Sequence, residues 1–78
     1  MPATRKRKPH KTVQKVGAQL REIRHRRKLS QEALAHAANL ERAYVSGVER
    51  GEFNVSVESL ARLASALRVH IREFFDFD

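Results

Sequence analysis

The stretch Leu40–Gly51, LERAYVSGVERG, decides the fold of this chain. Its apolar residues Val45 and Val48 lie three positions apart, so a helix here turns one narrow stripe inward. The opposite side collects five small, hydroxyl or guanidinium residues: Arg42, Ala43, Ser46, Gly47 and Arg50. A helix with so slim a face fits the major groove of B-DNA, where Arg, Ser and a methyl group read base edges. The alternative at this point is an ordinary surface helix that carries two arginines.

The residues before this stretch predict the other half of a helix-turn-helix. Ser30 is a favourable N-cap for a short second helix over about residues 31–38. The inward face of that helix consists of three aliphatic side chains: Leu34, Ala35 and Ala38. Asn39 follows at the point where the chain must turn, and Asn tolerates the left-handed conformation better than most residues. Two short helices joined by such a turn form a helix-turn-helix.

Further helices are predicted on both sides of this pair. Thr12 is a suitable N-cap for a first helix over about 12–27, whose apolar residues recur at intervals of three and four: Val13, Val16, Leu20 and Ile23. Ser56 is the corresponding cap of a fourth helix with its own stripe: Val57, Leu60, Leu63, Ala64 and Leu67. Residues 71–75 predict a short fifth helix. The predicted fold is therefore all-α, with five helices in one domain spanning residues 12–78.

Charge is distributed unevenly along the 78 residues, whose formal net charge is +7. Residues 1–28 hold eleven Lys or Arg and one acid, whereas residues 29–78 hold five and eight. Such asymmetry points to a polyanionic partner, nucleic acid before membrane. We interpret residues 1–11 as a disordered basic arm that contacts DNA through four cations: Arg5, Lys6, Arg7 and Lys8. A solubilising tail or residues left by cloning are the alternatives.

Several functional classes are disfavoured by composition. Cysteine is absent, so neither disulfides nor thiolate metal sites are expected. No apolar run approaches the roughly 18 residues of a membrane span, and the basic N-terminus lacks the apolar core of a signal peptide. The four histidines show no spacing typical of metal ligands or a catalytic triad. We therefore expect a cytoplasmic protein that is not an enzyme and uses no metal, cofactor or membrane.

Residues 29–69, LSQEALAHAANLERAYVSGVERGEFNVSVESLARLASALRV, resemble the lambda-repressor-like, or XRE-type, helix-turn-helix family. The resemblance extends over roughly residues 16–75 and is strongest to controller proteins of restriction–modification systems. It implies a sequence-specific transcription regulator that binds double-stranded DNA as a homodimer on a near-palindromic operator. An antitoxin that represses its own gene and a nonspecific nucleic-acid binder remain as alternatives.

The resemblance also implies roles for individual residues. The implied base contacts are Arg42, Ala43, Ser46 and Gly47. The implied phosphate contacts are Ser30, Gln31, Tyr44, Arg50 and Asn54. For Tyr44, a packing role is the alternative. Arg24 and Glu49 are expected to form a structural ion pair between the first and third helices. The chain departs from the family pattern at Asn39 and Arg68, which replace turn glycines, and at Val55, which replaces a common proline; we expect Arg68 to be strained in a left-handed turn.

Aromatic residues concentrate at the C-terminal end, where Phe74, Phe75 and Phe77 are three of the four phenylalanines. So small a domain cannot bury all three inward. Ile71 and Phe74, three residues apart, are expected to face the core. Phe75, with Phe77 beside it, is the predicted contact between two subunits.

Overall fold

The computed structural model describes residues 10–78, and all regular structure in that range is helical. The elements are α1 (Lys11–Arg26), α2 (Gln31–Ala38), α3 (Arg42–Glu49), α4 (Val57–Leu67) and a C-terminal 3-10 helix (Ile71–Phe75). The all-α prediction is confirmed, but the fifth helix is a 3-10 helix and not an α-helix. Five residues close very few i→i+4 bonds, so the tighter i→i+3 form is common in such short pieces.

The start of α1 differs from the prediction. His10, and not Thr12, is the N-cap, because His10 Nδ1 accepts a hydrogen bond from the Thr12 amide at 3.0 Å. Lys11, which the prediction assigned to the arm, is the first residue of the helix. Residues 1–9 of the arm, including Arg5–Lys8, lie outside the described residues.

The core is built from all five elements. Its buried apolar residues are Val16, Leu20, Ile23, Leu34, Ala35, Ala38, Val45, Val48, Leu60, Leu63, Ala64, Leu67 and Phe74. The predicted inward position of Phe74 is confirmed. Val57 and Ile71 were also predicted to face inward, but they are 75% and 36% exposed. Each is the first residue of its helix, and since helical side chains lean toward the N-terminus, these two reach beyond the packed turns.

The turns follow the capping pattern that the sequence predicts. Ser30 and Ser56 each accept a hydrogen bond at 3.0 Å from the amide three residues later. Asn39 and Arg68 adopt the left-handed conformation, with φ of 58° and 60°. Lys28 does so as well, at 60°, although its sequence carried no sign of it. For a residue with a Cβ this conformation costs roughly 1–2 kcal/mol, which packing of the adjoining helices must offset.

Gly17 is the point where α1 crosses α3. A Cβ at this position would overlap the carbonyl oxygen of Val48 and would lie 3.1 Å from that of Glu49. The two backbones therefore touch, which no side chain at this position would permit. The apolar periodicity of α1 predicts no role for Gly17. The one signal in the sequence is a glycine inside a helix, which costs about 1 kcal/mol relative to alanine and calls for a packing reason.

Candidate nucleic-acid interface

Helix α3 presents its two faces largely as its sequence predicts. Val45 and Val48 are buried against the core. On the opposite side, Arg42 and Ala43 are exposed at the start of the helix. Ser46 is half-buried one turn later. The open face is therefore narrow, with a guanidinium and a methyl group at its leading end.

Gly47 departs from the predicted arrangement because it is buried under the ring of Phe53. A Cβ at Gly47 would lie 2.6 Å from Cζ of that ring. Phe53 also stacks on Tyr44, with ring centroids 5.8 Å apart and an angle of 7° between the planes. The prediction that Gly47 lies on the open face is wrong: helical spacing places it there, but the loop after α3 folds back over it.

Arg50 is exposed and hydrogen-bonded to its neighbours. Its Nε and Nη2 atoms donate to the two carboxylate oxygens of Glu52 at 2.9 and 3.1 Å. Nη1 donates to the hydroxyl of Ser46, one turn back along α3. The hydrogen bonds and charge of Arg50 lower the pKa of Glu52, so this carboxylate is ionised at neutral pH. A phosphate that approaches Arg50 must therefore compete with Glu52, at small cost, because exposed ion pairs contribute little.

The N-terminus of α2 lies beside this helix. Ser30 is exposed and caps α2, and Gln31 is half-buried. The Gln31 side-chain amide donates to Glu49 Oε1 at 3.0 Å, so in the free protein it is directed at α3. The first backbone amides of α2 have no partner within the helix and carry the positive end of its dipole. These amides are the groups at this end best suited to a phosphate.

Arg24 joins three elements through one guanidinium. Its Nε donates to Glu49 Oε2 at 2.6 Å and its Nη2 to Glu49 Oε1 at 3.0 Å, which ties α1 to the end of α3. Its Nη1 donates to the carbonyl oxygen of Leu29 at 2.9 Å, in the turn before α2. With Gln31 on the same carboxylate, the network sets α2 and α3 in one orientation. The structure thus brings together the pair that the family resemblance implied.

The carboxylate of Glu49 is held ionised in a nearly water-free position. Burial is the strongest single influence on its pKa and raises it. Hydrogen bonds from Arg24 and Gln31, together with the charges of Arg24 and Arg21, outweigh burial and lower the pKa below its ordinary value of 4.5. Every buried side-chain nitrogen and oxygen in residues 10–78 has a hydrogen-bond partner. The network is therefore fully satisfied, which is the condition for a buried charge to be stable.

The remaining predicted contacts lie at the edges of α3. Tyr44 is half-buried under its stack with Phe53, and Asn54 is exposed in the loop that follows. Within the described range no three His, Asp or Glu side chains are grouped so as to hold a metal ion. Nor does any helix there have the length and apolar character needed to cross a membrane.

Comparison with known proteins places these features in a family. The helix-turn-helix family profile matches residues 20–74. The control protein C.BamHI of Bacillus amyloliquefaciens is 39% identical over 62 residues, which are 78% of this chain and 76% of that protein. The immunity repressor of Bacillus phage phi105 is 41% identical over 56 residues, which are 72% of this chain but only 39% of the repressor's length. The crystal structure of the restriction–modification controller protein C.AhdI from Aeromonas hydrophila superposes with a TM-score of 0.82 and 47% identity, over 85% of this chain and all of that one.

Proposed function

This chain belongs to the XRE-type helix-turn-helix family of DNA-binding transcription regulators, and we propose that it acts as a homodimer on a near-palindromic operator. The observation that carries the proposal is the open face of α3, which exposes Arg42 and Ala43 while its opposite face is buried. A dimer of this design inserts one α3 into each of two successive major grooves, about 34 Å apart.

The proposed base contacts lie on the open face. Arg42 pairs with a guanine through two hydrogen bonds, and Ala43 places its methyl group against a thymine. The Ser46 hydroxyl can bind a base edge once its hydrogen bond with Arg50 is broken. Gly47 is removed from the set, because Phe53 covers it.

The proposed phosphate contacts surround this face and position it without reading sequence. They are Ser30, Gln31, Tyr44, Arg50 and Asn54. The basic arm, Arg5–Lys8, lies outside the described residues; as a DNA contact it adds affinity that falls with salt. Each phosphate contact adds about 0.9 to the slope of log K against log salt concentration.

Replacing Arg42 by alanine tests the proposal directly. We expect operator binding to weaken by about 1–3 kcal/mol and selectivity to relax at one base position per half-site, because a two-bond guanine contact is lost. The operator is first defined by selection from random duplexes, and binding is then measured on it and on a scrambled duplex. Equal loss on both duplexes would make Arg42 a phosphate contact and contradict its role as a base reader.

The second subunit is proposed to pack on the C-terminal aromatic residues. Phe75 is 46% exposed, next to the buried Phe74. Phe77 is half-buried against the core, its ring 5.5 Å from Lys15 Nζ and 6.5 Å from the ring of Phe75. Phe75 is therefore the main candidate contact and Phe77 a supporting one. In a twofold interface the same patch meets itself, so each exposed ring counts twice.

The aromatic patch predicts that Phe75→Asp converts a dimer into a folded monomer, because two charges would face each other across the twofold axis. Sedimentation equilibrium of the wild type and the variant, with thermal unfolding of each, measures this. Arg72→Asp, an exposed change on the same 3-10 helix, serves as the matched control for a new acid there. A wild type that remains monomeric at tens of micromolar excludes the interface.

Similarity to control proteins supports a controller role within this function. The alternative antitoxin function has no corresponding support, since the relatives described above are named control proteins or a repressor. We therefore retain transcription regulation as the proposed function.

A further inference from the structure

Phe53 is a large apolar side chain left 41% exposed beside the proposed reading helix. It lies in the loop after α3, between the polar residues Glu52 and Asn54. Its placement against α3 requires an explanation that the proposed contacts do not supply.

The ring is held in place by the way the chain leaves α3. Gly51 adopts a φ of 72°, and its amide donates to the carbonyl oxygen of Val48 at 3.0 Å. The amide of Glu52 donates to the carbonyl oxygen of Gly47, also at 3.0 Å. These bonds reverse the chain and return Phe53 onto α3. The backbone thus brings Phe53 to this side of α3.

Two residues of α3 receive the ring. Gly47 provides a socket, because even a methyl group there would overlap the ring. Tyr44 provides a flat support, stacked nearly parallel at 5.8 Å. A ring confined by a socket and a stack has few orientations to lose on binding, which lowers the entropic cost of a contact.

The ring occupies the strip of α3 that continues from Ala43. Ala43 and Gly47 are four residues apart and share a helical face. Because Phe53 covers Gly47, the apolar surface begun by the methyl group of Ala43 is extended by an aromatic edge. The apolar feature that DNA presents in the major groove is the C5-methyl group of thymine, and Phe is among the side chains that contact it.

We propose that Phe53 is a specificity-determining residue that reads a thymine methyl group in each half-site, with Gly47 as its socket and Tyr44 as its support. This inference rests on the proposed function and names one feature of the operator. It assigns the apolar contact at this part of α3 to a residue outside the helix.

Uracil substitution isolates the methyl group. Each thymine of the selected operator is replaced singly, in both half-sites, by deoxyuridine, which lacks only that methyl. Wild-type affinity is expected to fall about fourfold per half-site at one position, the value of one buried methyl group. Phe53→Ser should bind the thymine operator about as weakly as the wild type binds the uracil operator, and its affinity should not fall further when that thymine is replaced by uracil. Phe53→Leu should keep part of the wild-type sensitivity to uracil.

Ala43→Gly is the matched control, since it removes a different methyl group from the same face. It should keep the uracil sensitivity assigned to Phe53 and lose sensitivity at another thymine. Thermal unfolding and sedimentation of Phe53→Ser establish that the variant is folded and associates as the wild type does.

Three results would overturn the inference. The first is equal uracil sensitivity of the wild type and Phe53→Ser at every thymine. The second is an operator in which none of the base positions whose selectivity changes in the residue-53 variants is a thymine. The third is a shift of Phe53→Ser to monomer, which would assign the ring to the partner subunit. Failure of the proposed function looks different, because the wild type itself would then bind operator and scrambled duplex equally.

Discussion

Replacing Arg24 by leucine is expected to lower the free energy of unfolding at pH 7 by about 3–5 kcal/mol. The substitution removes three donors, two to Glu49 and one to the carbonyl oxygen of Leu29. It leaves a buried carboxylate with Gln31 as its remaining hydrogen-bond partner in the network. Native proteins have a total stability of about 5–15 kcal/mol, so the loss is a large fraction of it. Urea denaturation at pH 7 measures the change.

The pH dependence should reverse in this variant. In the wild type the folded-state pKa of Glu49 lies below 4.5, so its stabilisation is complete above that value and is lost as pH falls through the folded pKa. In Arg24→Leu, burial without the guanidinium raises the pKa of Glu49. The destabilisation should then be greatest at neutral pH and diminish as acid protonates Glu49.

Two further variants separate the ion pair from a general loss of charge. Arg26→Leu removes the same charge from an exposed position on α1 and should change stability by no more than about 0.5 kcal/mol. Arg24→Leu combined with Glu49→Leu should recover much of the loss, because no buried charge remains. If Arg24→Leu were as mild as Arg26→Leu, the network would not set the position of α3.

Gly17→Ala is expected to destabilise the domain by about 3 kcal/mol, at the upper end of the cost of overpacking. Alanine is the better helix former by about 1 kcal/mol, so propensity alone predicts the opposite sign. The steric term should dominate because the new methyl group would overlap a backbone carbonyl of Val48, which cannot rotate away as a side chain does. Thermal and urea unfolding measure the net effect.

The reciprocal change at the next residue is the control. Ala18 is exposed on α1, so Ala18→Gly should cost only the propensity difference of about 1 kcal/mol. Operator binding by Gly17→Ala adds a second readout, since separation of α1 and α3 displaces the reading helix. A variant as stable as the wild type would show that the crossing yields easily and would contradict the close-packed contact.

Local sequence determined the helices and most of their ends. Apolar residues at intervals of three and four predict which face of α1, α3 and α4 is buried, because helical periodicity is a property of neighbouring residues. The Ser30 and Ser56 caps follow from side chains that bond an amide three positions away. The exposure of Arg42 and Ala43 follows from the same helical periodicity, which places them opposite the buried Val45 and Val48.

The ion pair between Arg24 and Glu49 was predicted, but not from local sequence. The residues are 25 positions apart, and no local rule brings them together. Their pairing was expected from the family resemblance, whereas the bonds of Arg24 to the Leu29 carbonyl and of Gln31 to Glu49 were not. Which of several polar groups share one buried carboxylate depends on how the helices are placed.

Tertiary structure alone decided the features that depend on where two helices cross or where a loop folds back onto a helix. Gly47 has the spacing of an open-face residue, yet the reversal at Gly51 brings Phe53 over it. Gly17 reads as a weak helix position and is in fact the contact between two backbones. In each case the residue that makes the deciding contact lies in the following loop or in another helix. The helical periodicity around the glycine therefore cannot predict that contact.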